Sequence, residues 1–349
     1  MKRSLLALAV LGTIASAASA QSSVTLSGVV DAGVRHRGTN TGYDWDMKGS
    51  GSAFNSFTIS GREDLGGGMY AFFALNHRFN IESGTINTAD FGTGTGGASS
   101  PTFWRNAAVG LGGGFGDIRL GRILMPLQDM NGGFDPWYGG YTVAGTHTGG
   151  ITATIRANNA IYYRSPNMGG LKLEAAIAAG QGQLQAETAN NFGSRAPVPQ
   201  NPGGFGERPA GFSLRYAAGP LNVGIAYDRN YAKFKTTGLY GSYDFGVAKL
   251  YAQFEDGDGT IGGVLATKEK VKAFSIAADI PFGAFVGKVG YLRYNSDRVN
   301  QDATKFGFGA EYNFSKRTLV YSDIGKASGN RLTVGEKKTA FDIGLRHKF

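Results

Sequence analysis

The chain has 349 residues, no cysteine, 56 glycines and 39 Phe or Tyr residues (23 and 16), with 35 basic residues against 26 acidic ones for a formal charge of +9. Without cysteine it can hold neither a disulfide nor a thiolate metal site. Glycine this frequent without a strict every-third spacing excludes collagen, and so many aromatic rings exclude a disordered glycine-rich chain.

From the N-terminus, Lys2 and Arg3 precede an apolar run over 5–14 and then ASAASAQ. That is the charged, apolar and small-residue order of a secretory signal, so residues 1–20 are expected to be removed after Ala20, leaving 21–349 as the mature domain. Export discounts nucleic acid as the partner of the basic charge. The apolar run is too short to span a bilayer as a helix, and no later stretch approaches the roughly 20 apolar residues a spanning helix needs.

Period-two alternation then marks strands at 23–36, 54–63, 69–80, 102–111, 117–126, 158–165, 171–180 and 210–217. A second set follows at 221–230, 236–244, 247–255, 271–279, 284–294, 304–313, 317–325 and 339–349. No long window keeps apolar residues at helical spacing clear of glycine, so no helix is expected. Short connections read DLGGG (64–68), GGGFG (112–116), PNMGG (166–170), AGP (218–220), FG (245–246), PFG (281–283) and FSK (314–316). Between them lie mostly longer polar stretches, such as 37–53, 81–101, 127–157, 181–209 and 326–338.

Sixteen antiparallel strands with tight turns on one rim and long loops on the other predict an all-β transmembrane barrel of the outer membrane, with short periplasmic turns and long external loops. About ten residues per strand also suffice to cross a bilayer at a tilt. A soluble β-sandwich would share the glycine and the short strands but would need no such alternation. The last strand, TAFDIGLRHKF, shows the two faces: Phe341, Ile343, Leu345, His347 and Phe349 toward lipid, and Asp342, Arg346 and Lys348 toward a wet interior.

A pore works through the charges that line its narrowest part. In NHRFN, Arg78 and Asn76 lie opposite in parity to Phe73, Leu75 and Phe79, which turns them inward. In GDIRLGR, Ile118 and Leu120 point outward and Arg119 inward; in RANNAIYYRSP, Arg156, Tyr162 and Arg164 point inward. The loop 127–157, which follows the fifth strand and carries LQDMNGGFDPWYGGY, is the candidate constriction loop. Its Asp129 and Asp135 are expected to face the wall arginines and set up a transverse field. Asp135 can equally serve as a cap for the turn at Asp135-Pro136.

SSVTLSGVVDAGV, GREDLGGGM, FWRNAAVGLGGGFGDIRLGR, RANNAIYYRSPNMGG, EYNFSKRTLVY and GLRHKF, in this order from 22 to 349, closely resemble the trimeric general porins of β-proteobacteria. The resemblance implies a sixteen-stranded barrel, three pores per homotrimer, a third loop folded into each pore, and a terminal Phe349 read by the barrel-assembly machinery. Outer-membrane lipids and lipopolysaccharide are the surroundings it implies, with small ions and solutes as cargo. Arg156 matches a wall arginine of the family, and Arg122 matches better than Arg119, turning inward if Gly121 kinks its strand. The second strand departs from the pattern: SFTIS places Ser56 and Ser60 where these porins commonly carry arginines, which implies a milder anion preference.

No enzyme is expected, because His36, His77, His147 and His347 are scattered and no serine sits in a G-x-S-x-G setting. GLGGGFG lacks the ending of a phosphate loop, and EDGDGTIGG has only part of the spacing of a calcium loop, so no cofactor or metal is expected. The sequence therefore predicts an outer-membrane channel for passive diffusion of small hydrophilic solutes and ions, with anions favoured. The alternatives are a substrate-selective channel for an anion such as phosphate or a carboxylate, and a plugged structural or adhesive barrel.

Overall fold

A computed structural model describes residues 23–86, 103–137, 142–148, 156–178, 208–230, 234–260, 268–297, 302–330, 332, 335 and 337–349. The expected signal segment 1–20 lies outside the described residues. The strands are β1 (Ser23–Gly38), β2 (Tyr43–Gly49), β3 (Ser56–Gly66), β4 (Met69–Arg78), β5 (Asn106–Gly113), β6 (Gly116–Leu124), β7 (Arg156–Arg164), β8 (Leu171–Ala178) and β9 (Ala210–Ala218). They continue as β10 (Leu221–Arg229), β11 (Lys235–Asp244), β12 (Lys249–Thr260), β13 (Lys268–Phe282), β14 (Phe285–Ser296), β15 (Ala303–Asn313), β16 (Thr318–Ser328) and β17 (Ala340–Lys348).

Every strand pairs antiparallel with its neighbours, and β17 returns to β1 from Val29↔Lys348 to His36↔Phe341. The seam is completed by Phe349, whose N–H donates to the Gly28 carbonyl at 3.0 Å while Gly28 N–H donates to the Phe349 carbonyl at 2.9 Å. A side chain at 28 would meet the Phe349 ring at 2.4 Å, so only glycine lets that ring lie across the seam.

Strands β2 and β3 share one place in the barrel: β2 pairs with the upper half of β1 (Ala32↔Gly49 to Gly38↔Tyr43) and β3 with its lower half (Ser23↔Arg62 to Val29↔Ser56). The barrel is thus sixteen strands around, as the alternation predicts. Strand β2 falls in the expected loop 37–53; Tyr43, Trp45 and Met47 do alternate with Asp44, Asp46 and Lys48, but the run is only seven residues long. The expectation of no helix is corrected at α1 (Pro126–Gly132), which starts on a proline and is too short to show helical periodicity.

The usual arrangement of apolar and polar residues is inverted. Val24, Leu26, Leu120, Leu239, Phe274 and Phe308 are 43–70% exposed on the outer face. Asp31, Gln253, Glu255, Tyr321 and Asp342 are buried on the inner one. Such an outer belt is stable only against an apolar surround, since each such side chain contributes about 1.5–3 kcal/mol when it leaves water. Leu239→Arg should therefore lower the stability of the barrel in lipid vesicles by about 2–4 kcal/mol. Leu239→Ile should change it by less than about 1.5 kcal/mol. Urea unfolding followed by tryptophan fluorescence measures both.

Candidate functional site

The loop after β6 turns into the barrel instead of away from it. Leu127, Met130 and Phe134 of its first part pack on Ala226 and Tyr240 of the inner wall. The bare face of Gly224 makes room for Met130, whose sulfur would lie 2.8 Å from a side chain there. Polar groups fix the next turn: Asn131 Nδ2 and the Tyr240 hydroxyl donate to Glu255 Oε1 at 2.6 and 2.8 Å, and Gln253 Nε2 donates to the Phe134 carbonyl at 2.7 Å.

The loop then crosses to the far strands. Trp137 Nε1 and Thr142 Oγ1 donate to the two oxygens of Asp323, at 2.8 and 2.6 Å, and Val143 N–H donates to Asp342 at 3.1 Å. Lys288 Nζ bridges the Pro136 carbonyl (2.8 Å) and Glu311 (2.6 Å). Gly307 and Gly325 form a slot here, because a side chain at either would lie 1.9 Å from the Ala144 or Val143 carbonyl oxygen. Residues 126–137 and 142–148 are thereby laid along the wall from β9 to β17, leaving the wall of β3 to β7 opposite.

That opposite wall gathers arginines. Gly121 takes a φ of +142° and Asn159 one of +52°, and the register slips between Gly121 and Ile123. The slip carries Arg122 to a buried position, where Nε donates to the Arg105 carbonyl (3.0 Å) and Nη1 to Asn158 Oδ1 (2.6 Å). Arg156 Nε donates to Asn106 Oδ1 at 2.7 Å. Arg78 and Arg105 share the ring of Phe54, with guanidinium carbons 3.3 and 5.3 Å from its centroid. Arg119 and Arg164 stand nearer the short-turn rim and are paired with acids, Asp117 at 2.5 Å and Glu174 at 2.7 Å.

Phe54 belongs to a second inward segment that sequence reasoning missed. Between β2 and β3 the chain bends over Asp31, whose Oδ2 accepts the Ser52 and Ala53 N–H groups at 2.7 and 2.6 Å, while its Oδ1 accepts the Tyr321 hydroxyl at 2.7 Å. Arg346 Nη1 adds a bond to Ser52 Oγ at 2.7 Å. The Ser, Gly and Asn cluster around 49–55 signalled a break, but nothing local signalled its direction.

The two loop carboxylates separate. Asp129 opens toward the lumen, and the charges acting on it include Arg164, Arg119 and Arg215 as well as Glu174. Enclosure by the barrel pushes its carboxyl up, with Glu174 adding to the rise and the arginines opposing it. Asp135 does not face the arginines as expected: it is 1% exposed, and its charged neighbours include Lys305, Asp279 and His147. The reason is the anchoring of Pro136 and Trp137 on Lys288 and Asp323, which turns Asp135 into the far wall. Burial pushes the His147 imidazole down from its ordinary range.

Among the described residues no three His, Asp or Glu side chains are grouped to hold a metal ion. In EDGDGTIGG, Asp258 pairs with Lys270 at 2.7 Å and Asp256 with Lys272 at 3.6 Å, so lysines occupy the acids of the partial calcium motif. Because the glycine slot holds the loop, Gly325→Val should displace it and change single-channel conductance in KCl. Gly287→Val should leave conductance as it is, since the nearest atom to a side chain there is 3.9 Å away.

A family model described as Gram-negative porin matches residues 7–332. The chain is 32% identical to outer membrane porin protein 32 of Delftia acidovorans, over 100% of both chains. It is 27% identical to major outer membrane protein P.IB of Neisseria gonorrhoeae, again over 100% of both. Among solved structures, an anion-selective porin from Comamonas acidovorans superposes with a TM-score of 0.74 at 26% identity, covering 94% of this chain and 100% of that one. The closed barrel, the loop folded inside it and the match along the whole chain lead to one conclusion: this chain belongs to the family of Gram-negative porins, the channel-forming proteins of the outer membrane.

Proposed function

We propose that the chain forms an anion-preferring general-diffusion channel, narrowed between the arginine wall and the third loop. The observation that carries this reading is the segregation of Arg78, Arg105, Arg122 and Arg156 on one wall. Their described contacts there include an aromatic face, a backbone carbonyl and amide oxygens. A lumen walled by protein and lipid focuses the field of such charges and raises the local concentration of anions. The word anion-selective, used of the Comamonas porin, supports the same direction.

Asp129 then supplies the negative side of a transverse field against Arg119 and Arg164, while Asp135 acts as part of the loop anchor. The ion pairs of Arg119 and Arg164, with Ser56 and Ser60 on the second strand, make the expected preference moderate. The working unit of this proposal is a homotrimer embedded in lipid and lipopolysaccharide. Phe349, exposed by 44% at the end of the closing strand, is the residue that the assembly machinery would read before the seam closes. No catalytic step is assigned to any group.

In a planar bilayer under a KCl gradient, the reversal potential should lie on the chloride side, with current steps closing in threes. Arg78→Gln, Arg122→Gln and Arg156→Gln should each lower the chloride to potassium permeability ratio. A native channel that prefers K⁺ would overturn the reading, and a folded barrel that carries no current would favour the plugged alternative.

A further inference from the structure

Below the arginine cluster, one row of paired residues runs across the inner wall: Arg62↔Phe72 on β3 and β4, Phe72↔Gly110 on β5, Gly110↔Arg119 on β6, and Arg119↔Tyr162 on β7. Cations and rings alternate along it, and the one gap is a glycine. A side chain at Gly110 would lie 2.6 Å from the Phe72 ring, and one at Gly112 would lie 2.2 Å from the Tyr70 ring. Both rings therefore lie down over β5 rather than standing into the lumen. This makes a shallow recess of about 400 Å³, lined by Ser60, Arg62, Tyr70, Phe72, Ala74 and Arg119 among others.

The two cations of the recess differ. Arg119 is gripped by Asp117 through two hydrogen bonds, at 2.5 and 3.2 Å, and lies 5.5 Å from the centroids of both Phe72 and Tyr162. Arg62 is exposed and sits 3.5 Å above the Tyr70 ring; among the described residues it makes no ion pair. Stacking on a ring fixes a guanidinium without neutralising it and leaves its N–H edge for a carboxylate. An inorganic anion would use that edge alone and ignore the rings beside it.

We propose that this recess is a binding station for planar aromatic carboxylates passing through the lumen, the carboxylate meeting Arg62 and the ring lying on Phe72. The proposal rests on the channel reading for its traffic, but not for its chemistry. Such a station would be weak enough to release its solute and would bias a general pore toward one solute class.

The test titrates the refolded protein in detergent with sodium benzoate, sodium cyclohexanecarboxylate and benzyl alcohol, following binding by saturation-transfer NMR and calorimetry. Benzoate should bind about threefold to tenfold more tightly than cyclohexanecarboxylate, the range that ring stacking supplies. Benzyl alcohol, which has the ring without the charge, should bind more weakly still. Phe72→Leu should abolish the preference for benzoate over cyclohexanecarboxylate, Phe72→Tyr should restore it, and Arg62→Gln should weaken both carboxylates together. Equal affinity of the native protein for the two carboxylates would overturn the proposal whatever the variants do. So would a preference that survives Phe72→Leu. Current across a bilayer with no ring preference defeats the station alone; a silent bilayer with the preference intact defeats the channel reading alone.

Discussion

In the hydrocarbon of a membrane an unpaired peptide N–H or C=O costs several kcal/mol, so a sheet that crosses it cannot have a free edge. In this chain that constraint is met at one seam, where the last eight paired residues of β17 and the two reciprocal bonds of Phe349 join the end of the chain to its first strand. Once the sheet is closed, the two-residue period of a strand decides everything else about where side chains go. One parity faces lipid and the other faces the water inside.

The interior is not a uniform polar tube. Its far half, from β9 to β17, is covered by the third loop, which needs a wall that both bonds and yields. Glu255, Asp323 and Asp342 accept hydrogen bonds from the loop, and Gly307 and Gly325 let its backbone approach to the surface of the sheet. The near half, from β3 to β7, keeps its arginines, fixed by rings and amide oxygens. The Asp31 bend adds Phe54 to that side and ties it across the seam to Tyr321 and Arg346. The seam that the membrane demands thus also steadies the wall that would act on ions.

Much of this was legible in the sequence because each strand repeats the same weak signal. Sixteen alternating runs with short and long connections in turn are decisive together although none is decisive alone. The inward parity of Arg78, Arg119 and Arg164 followed from the same rule, and the kink at Gly121 that repositions Arg122 was signalled by a glycine inside a strand. What could not be read were features made by contacts distant in sequence. Asp135 and Asp129 look alike in the loop, yet 152 residues separate Pro136 from the Lys288 that pulls Asp135 into the wall. The Asp31 bend depends on a tyrosine 290 residues away, so residues 50–53 read only as a loop and 54–55 as the start of the next strand.

If one parity of these strands lines a water-filled passage whose near wall attracts anions, charged reagents will tell the two faces apart. The absence of cysteine from the chain offers a clean background for testing it. Asn76→Cys and Leu120→Cys, one inward and one outward, can be probed in a bilayer with anionic and cationic thiosulfonates of similar size that do not cross lipid. Asn76→Cys should react and lose current, faster with the anionic reagent, while Leu120→Cys should not react. Faster attack by the cationic reagent at 76, or equal reactivity at 76 and 120, would contradict this reading.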